Sequence, residues 1–384
     1  MSVFDDASLE LHEKNRGKLE VVSKVPLANR EDLSKAYTPG VAAVSLACAK
    51  DPEAMYRYTP KGNCVAVVSD GSAVLGLGNI GPAGAYPVME GKAVLFKEFG
   101  GVEAYPIVLN TQDSDEIVEL VCNISTGFGG INLEDIAAPR CFEIEAKLRE
   151  RLKIPIFHDD QHGTAIVVLA GLINALKVTG RDKNARVVIN GAGAAGMAIA
   201  ELLLHYGFTD LTLADSTGAI HEGRLEGMNS AKEAMAKRTN RRQLKGNLET
   251  LMRDAEVFIG VSTANVVSQD MVRSMAKGPI VFAMANPDPE ISEALAKEAG
   301  AAVVATGRSD SPNQLNNVLV FPGIFRGILD SRAQQFTVGM YTAAAEALAG
   351  LVSTPSPENI IPSPFQPGVA QAVAQAVLEA VASA

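Results

Sequence analysis

The chain has 384 residues, of which 47% are hydrophobic and 20% are charged, and its formal net charge is −10. This length exceeds one ordinary core and predicts two domains, and the composition is that of a well-buried globular chain. The acidic balance excludes nucleic acid or an anionic membrane surface as a main partner, because either would favour a basic surface.

The N-terminal residues and the cysteines bear on the compartment. The opening segment MSVFDDASLELHEK has no basic stretch followed by an apolar core, which argues against a secretory signal. We see no apolar run that approaches the roughly 20 residues needed to span a bilayer. The four cysteines lack metal-ligand spacing and lie in apolar stretches, which favours buried, reduced thiols. We therefore expect a cytoplasmic protein that does not contact a membrane.

The first part of the chain alternates short apolar runs with helical patterns. CVAVVSDGS and AYPIVLN predict buried strands, and KIPIFHDD predicts a further short strand. DEIVELVCNIS and APRCFEIEAKLRERL predict helices. Pro139 takes a first-turn position that proline tolerates in a helix. This part predicts an N-terminal α/β domain over residues 1–160.

The pattern changes from Gly163 onward. TAIVVLAGLINALKVTG predicts a long apolar helix, and a strand–helix alternation typical of a parallel sheet follows it. The predicted strands are ARVVIN, DLTLADS, EVFIGVS, PIVFAMANP and AAVVATG. We therefore expect an α/β fold whose residues 161–384 form a Rossmann-like parallel-sheet domain for a dinucleotide. Its Ala-rich C-terminal helices either cover the sheet or return to the first domain.

A glycine-rich loop indicates the dinucleotide site. Gly191, Gly193 and Gly196 form a GxGxxG set between the apolar strand RVVIN and a helix of small residues. The glycines permit the tight turn, the approach of pyrophosphate and close helix packing, and the helix N-terminus attracts the phosphates. We include the enclosed residues Ala194 and Ala195 in the predicted cofactor site.

Asp215 ends the next strand, about 20 residues after the glycines, where a carboxylate accepts hydrogen bonds from the ribose hydroxyls. A second GxGxxG at Gly76, Gly78 and Gly81 lacks this context. Two prolines and a glycine follow it, so we expect a structural loop there instead of a helix.

Three acids of the first part lie where a predicted element meets a loop. Glu134, Asp135 and Asp160 could converge on one hard cation, and a site of few carboxylates with free positions suits Mg²⁺ or Mn²⁺. On spacing alone, Glu134 and Asp135 are more often acids that complement a helix dipole.

Other polar residues are less specific. His158 and His162 have the spacing of a helical zinc pair, but they straddle a strand end, so we interpret them as polar loop histidines. Lys92 begins an apparent amphipathic helix, and Tyr37 precedes a Thr-Pro-Gly turn. Spacing alone singles out neither of them.

Eight ordered segments resemble those of malic enzymes and cover nearly the whole chain. They are AYTPGVA, SDGSAVLGLGNIG, EGKAVLFK, NLEDI, FHDDQHGTA, NGAGAAG, NPDPE and NNVLVFPG. The compact length looks like the short bacterial form. The resemblance implies a metal-dependent enzyme that oxidises L-malate with NAD or NADP and decarboxylates the product to pyruvate.

The resemblance also implies roles for individual residues. Lys92 would be the general base and Tyr37 the general acid. The divalent metal would bind to Glu134, Asp135 and Asp160. The base requires a lysine whose pKa falls toward neutrality, which a nearby cation and partial burial would cause.

Further implied contacts lie around these residues. Asp159 would sit beside Lys92, and Asn286 and Asn317 would contact the substrate or the nicotinamide end of the cofactor. Longer relatives carry an arginine for a substrate carboxylate where this chain has Ala73. The anchor must then come from Ser72, Asn317 or a backbone N–H group.

The cofactor and the reaction each leave an alternative. Asp215 favours NAD because its charge would repel a 2′-phosphate, and Ser216 and Thr217 offer no cation; NADP remains open because Arg224 could fold back. A malolactic enzyme, which releases lactate without net redox change, is the nearest rival, and a non-catalytic sensor is a distant one. The resemblance and the terminal helices also suggest a homodimer, in which Tyr37 could reach the neighbouring subunit's site.

Overall fold

The computed structural model describes residues 4–383. Met1–Val3, which open the segment assessed above for a secretory signal, and Ala384 lie outside the described residues. The elements of the first part are α1 Asp5–Asn15, α2 Arg30–Ala36, α3 Val41–Lys50, α4 Met55–Tyr58, β1 Cys64–Ser69, α5 Gly81–Gly100, β2 Glu103–Val108, α6 Ser114–Ile124, β3 Gly130–Leu133, α7 Arg140–Arg151 and β4 Ile156–His158.

A π-helical turn at Asp159–Gly163, here called the π turn, joins β4 directly to a long helix. The remaining elements are α8 Thr164–Thr179, β5 Val187–Asn190, α9 Ala194–Tyr206, β6 Leu211–Asp215, β7 Gly218–Ala219, α10 Ser230–Ala236, α11 Leu248–Met252, β8 Val257–Gly260, α12 Gln269–Arg273, β9 Ile280–Ala283, α13 Glu293–Glu298, β10 Val303–Thr306, α14 Phe321–Ser331, α15 Val338–Gly350 and α16 Val369–Ala382.

Two parallel sheets confirm the predicted α/β fold. The first has the strand order β2-β1-β3-β4, and the second has the order β10-β9-β8-β5-β6-β7. Every pairing is parallel except that of β7, which runs antiparallel to β6. Because the carboxyl ends of parallel strands lie at one edge, each sheet gathers its strand-end loops there. The strand β2 is an edge strand and is half-buried, not buried as the sequence suggested.

The second glycine-rich segment was interpreted wrongly. Helix α5 begins at Gly81 itself, with Pro82 in its first turn and Pro87 inside it. Proline is tolerated in a first turn because the N–H it lacks would have no helical partner there. Lys92 consequently lies in the middle of a 20-residue helix and is buried, whereas the sequence placed it at a helix start.

The C-terminal helices contact the first part of the chain. The Phe96 ring on α5 lies 4.7 Å from that of Phe321 and 5.2 Å from that of Phe325, both on α14. Helix α16 packs so closely on α14 that a Cβ atom at Gly327 would lie 2.6 Å from the Ala374 carbonyl oxygen. Of the two courses predicted for the Ala-rich helices after α14, α16 follows the return to the first part, since it packs on α14 and also contacts α5. The domain boundary near residue 160 stays a prediction.

One helix was underestimated from the sequence. The π turn and α8 form a continuous 21-residue helix, Asp159–Thr179, that is long and apolar enough to cross a membrane by length and composition alone. The expectation that no apolar run approaches this length was therefore wrong. Most of the helix is buried inside the protein, as in the core helix of many globular folds.

Candidate active site

Three carboxylates meet at the edge of the first sheet. Glu134 and Asp135 follow β3, and Asp160 lies in the π turn that follows the neighbouring strand β4. One oxygen of each lies within 4.8 Å of the others, and the Asp135 backbone N–H donates to Asp160 Oδ2 at 2.8 Å. Asp135 adopts a φ of 55°, which turns the chain back toward the π turn. We call these three residues the acid cluster.

The carboxyl groups of the acid cluster are buried close to one another, in surroundings that disfavour their ionised forms. Burial, reinforced by the neighbouring carboxylates, raises the pKa of all three carboxyl groups above their ordinary values. Asp135 Oδ2 is buried and has no hydrogen-bond partner among the described residues. A set of converging oxygens, one of them orphaned, fits a hard divalent cation such as Mg²⁺ or Mn²⁺.

Lys92 completes the charged centre. Its Nζ lies 2.6 Å from Asp159 Oδ2, 2.9 Å from Glu134 Oε1, and 4.3 Å from the centre of the Phe321 ring. Burial alone would lower the pKa of Lys92, but the charges of Asp159 and Glu134 outweigh it and raise the pKa above the ordinary value. The lowered pKa expected for a general base therefore requires a cation on these carboxylates.

Lys92 and the acid cluster line a cleft of about 320 Å³ between the two sheets. Asn286 and Asn317 line it as predicted, as does Ala73, and Lys92 is the one cationic side chain among its described lining residues. Ser72 is not among the residues that line the cleft. Its hydroxyl is already engaged, because it donates to Asp70 Oδ1 and accepts from Arg140. It is therefore a poor candidate for the substrate-carboxylate anchor, and Asn317 is the better one.

Tyr37 lies elsewhere. It follows α2 on the surface, its residue is 67% exposed, and it is not among the residues that line the cleft. The structure of one chain therefore does not bring Tyr37 to Lys92.

The glycine-rich loop has the geometry that a dinucleotide requires. Gly191 has a φ of 114°, and a Cβ atom on Gly196 would lie 1.7 Å from the Gly191 carbonyl oxygen. Gly193 faces open space, and α9 begins at Ala194, immediately after it. Ala195 also lines the cleft, so the loop opens toward the acid cluster.

The predicted ribose-binding carboxylate has two cationic partners. Arg224 Nη2 lies 2.8 and 2.6 Å from the two oxygens of Asp215, and Lys232 Nζ lies 2.7 Å from Oδ2. Burial would raise the pKa of Asp215, but these two cations lower it. The sequence left open that Arg224 could fold back, and it does. Sequence reasoning did not name Lys232, which lies 17 residues further on.

The two histidines are not polar loop residues. His158 ends β4 and is fully buried, and neither ring nitrogen has a hydrogen-bond partner among the described residues. Burial lowers its pKa to about 4. His162 lies in the π turn, where Nε2 is 2.7 Å from Glu145 Oε1. The group of metal-ligating side chains found among the described residues, the acid cluster, includes neither histidine.

A Rossmann loop that meets a charged cleft is typical of dehydrogenases, and the molecule is an oxidoreductase of this nicotinamide-dependent class. Comparison with known proteins defines it further. The chain belongs to the malic enzyme family: the model of the malic enzyme N-terminal domain matches residues 16–149, and that of the malic enzyme NAD binding domain matches residues 161–382.

Individual relatives cover almost the whole chain. It is 58% identical to the bifunctional malic/malolactic enzyme of Bacillus subtilis over 99% of this chain and 93% of that protein. It is 50% identical to the NADP-dependent malic enzyme of Rhizobium meliloti over 99% of this chain and 52% of that protein. The crystal structure of the NAD-dependent malic enzyme from Thermotoga maritima matches with a TM-score of 0.94 and 49% identity, over 97% of this chain and 98% of that one.

Proposed function

We propose that the protein oxidises L-malate with NAD and a divalent metal and releases pyruvate and CO₂. The observation that carries this proposal is the cleft in which the acid cluster, Lys92 and the dinucleotide loop meet. Glu134, Asp135 and Asp160 would hold Mg²⁺ or Mn²⁺, which supplies positive charge for the enolate left by CO₂ loss.

The side chains of the cleft supply the proton transfers and the positioning. Lys92 Nζ takes the proton of the C2 hydroxyl group as hydride leaves C2 for the nicotinamide. Asp159, 2.6 Å from that nitrogen, orients the lysine and stabilises its charged form afterwards. Asn317 and Asn286 provide the polar contacts that orient malate and the nicotinamide ring in the absence of an arginine at position 73.

We further propose a homodimer in which Tyr37 reaches the partner's cleft and protonates C3 of the enolate. The helices α1–α3 contain no buried residue, and apolar side chains such as Val21, Leu27 and Leu46 are exposed on this N-terminal segment. An exposed apolar surface of this kind is typical of a subunit interface. A second copy of the chain would bury it and would bring Tyr37 into the partner's cleft.

Subunit exchange tests the shared site. Tyr37→Phe and Lys92→Ala proteins, each inactive, are mixed under conditions that exchange subunits. A shared site predicts recovery of about a quarter of wild-type activity, because half of the dimers are mixed and each restores one of two sites. No recovery, with exchange verified by differently tagged subunits, would rule out the shared site.

Cofactor choice depends on the carboxylate at the end of β6. We propose a preference for NAD, because Asp215 would repel a 2′-phosphate and accept hydrogen bonds from a ribose. Arg224 and Lys232 are the cations that would admit NADP if Asp215 turned aside. We expect Asp215→Ala to raise kcat/KM for NADP relative to NAD at least tenfold, and Arg224→Ala to lower it. An unchanged ratio in both variants would contradict this assignment.

The malolactic reaction is the second candidate, because the Bacillus subtilis relative is a bifunctional malic/malolactic enzyme. Absorbance of reduced cofactor is measured with L-malate and Mn²⁺, with and without chelator, beside assays of pyruvate and lactate. Chelator-sensitive reduction with stoichiometric pyruvate supports the main proposal, and lactate without net reduction supports the malolactic reaction. No product with either cofactor would refute both.

A further inference from the structure

A larger cleft lies behind the π turn, separate from the one that holds the acid cluster. Its volume is about 540 Å³, and its walls come from α7, α9, α10 and the start of α15. The floor is mainly apolar, with Met197, Leu202, Met235 and Phe336 among its buried residues. This size and this apolar lining are those of a small-molecule site. We call it the rear cleft.

Two buried polar groups of the rear cleft donate to no acceptor. Gln161 and Tyr341 are 4% and 5% exposed, and Gln161 Nε2 has no hydrogen-bond partner among the described residues. The Tyr341 hydroxyl donates to no described acceptor, and the Arg149 guanidinium lies beside it. Leaving a buried donor without an acceptor is costly, so such groups call for an explanation. His162, between them, stacks on the Tyr341 ring with the centres 4.9 Å apart. An amide N–H and a phenol O–H are both donors, so each group calls for an acceptor oxygen.

The charged groups around the rear cleft are already paired. Arg238 at its mouth forms two hydrogen bonds with Glu201. Arg149 donates to the Phe336 carbonyl oxygen at 2.7 Å and lies 3.7 Å from Glu145, which His162 also contacts. An additional ligand charge would therefore be buried without a counter-ion, which is costly. The ligand that fits is uncharged.

The floor of the rear cleft is continuous with the active site through the backbone. Gln161 directly follows Asp160 in the π turn, so a ligand that pulls on Gln161 acts on the segment that positions the acid cluster. Turns of this kind, in which one residue is accommodated in excess of the α-helical pattern, recur at functional sites.

We propose that the rear cleft binds an uncharged aromatic or branched aliphatic carbonyl compound and thereby changes the affinity of the acid cluster for its divalent cation. The carbonyl oxygen accepts from Gln161 and Tyr341, and the apolar body packs on the floor of the cleft. Binding itself does not rest on the proposed function, whereas the effect on cation affinity rests on the metal site proposed there.

The binding test uses a fluorescent aryl ketone, 6-propionyl-2-dimethylaminonaphthalene, whose emission shifts to the blue in an apolar site. The chain contains no tryptophan, so its background is low. We expect saturable one-to-one binding to the wild type. Ala231→Trp, which fills the rear cleft from α10, should weaken binding at least tenfold, whereas Glu233→Trp, on the exposed side of the same helix, should change it less than twofold.

Two further measurements complete the test. Tyr341→Phe should weaken binding about fivefold, as for the loss of one hydrogen bond. Mn²⁺ binding is followed by the magnetic resonance signal of the free ion, and saturating ketone should change its dissociation constant at least threefold in wild type but not in Ala231→Trp. Circular dichroism verifies that each variant is folded.

Each opposite outcome overturns a defined part of the proposal. Equal binding to wild type and Ala231→Trp, or no saturable binding at all, would show that the rear cleft holds water only. Ketone binding with an unchanged Mn²⁺ affinity would overturn the coupling. Failure of Mn²⁺ to bind in the absence of ketone would instead count against the proposed function and leave ketone binding as a separate result.

Discussion

Replacing Lys92 with methionine should separate the charge of this lysine from its volume. The change leaves Asp159 Oδ2 and Glu134 Oε1 without the ammonium group that now lies 2.6 and 2.9 Å away. Both carboxylates are buried, and removal of one partner of a buried ion pair costs about 3–5 kcal/mol. Malate oxidation should fall by a factor of about 10²–10⁴, the usual contribution of a general base.

The loss of stability should depend on pH in a defined direction. In the presence of chelator, the folded Lys92→Met protein can hold these carboxyl groups only in protonated form, whereas the unfolded chain ionises them near pH 4. The folded state then binds more protons than the unfolded state above that pH, so stability falls as pH rises. One such proton corresponds to about 1.36 kcal/mol per pH unit, or about 4 kcal/mol between pH 5 and pH 8.

Urea unfolding at pH 5 and pH 8 measures this difference. Lys97→Met is the matched control, because Lys97 lies on the same helix, is exposed and pairs with Glu103 at the surface; exposed pairs contribute less than about 1 kcal/mol. If Lys92→Met lost the same free energy of unfolding at both pH values, the unpaired carboxylates would not be the cause. If it oxidised malate at nearly the wild-type rate, Lys92 would not be the base.

Three other predictions concern the fold and the acid cluster. Gly327→Ala gains about 1 kcal/mol of helix propensity, but its Cβ would lie 2.6 Å from the Ala374 carbonyl oxygen, so urea unfolding should show a net loss of about 1–3 kcal/mol; a stabilised variant would disprove the close contact. Cys141 is fully buried and burial raises its pKa to about 12, so a thiol reagent at pH 8 should label it only after unfolding, and rapid labelling of the native protein would contradict this. Because the pKa values of the acid cluster are raised, the metal-free protein should lose stability as pH rises from about 4 toward 9, while Mn²⁺ at 100 times its dissociation constant should restore about 2.7 kcal/mol; thermal melts that do not depend on pH without metal would exclude this effect.

The functional loops at the strand ends could be predicted because the residues that indicate them are adjacent in the sequence. An apolar strand, a glycine loop and a helix of small residues stand next to one another in the sequence around Gly191, and the rule for parallel sheets then places the loop at one edge. Glu134 and Asp160 follow two strands that proved to be neighbours, which brings them together without any signal in the residues between them. Local pattern and one topological rule therefore led to both halves of the cleft.

Other features depended on contacts that no local pattern contains. Arg224 and Lys232 reach Asp215 across 9 and 17 residues of irregular chain, so their positions follow from the folding of a loop. His158 looked polar because it stands beside charged residues, but all three residues of β4, the strand that it ends, are buried. Tyr37 lies on the surface of one chain, and its proposed role depends on a second copy, which no local pattern describes.

The helix that runs from the π turn through α8 has a further consequence for folding. Its last 16 residues, which follow residue 163, are almost all apolar. In a newly made or unfolded chain this exposed apolar segment would promote aggregation. The polar residues that open it, Asp159 and Asp160 among them, interrupt this apolar stretch at one end, as charged gatekeepers do elsewhere. We therefore expect the carboxylates proposed for the active site also to limit aggregation of the helix that carries them. Neutral replacements for them should lower the yield of soluble protein as well as activity.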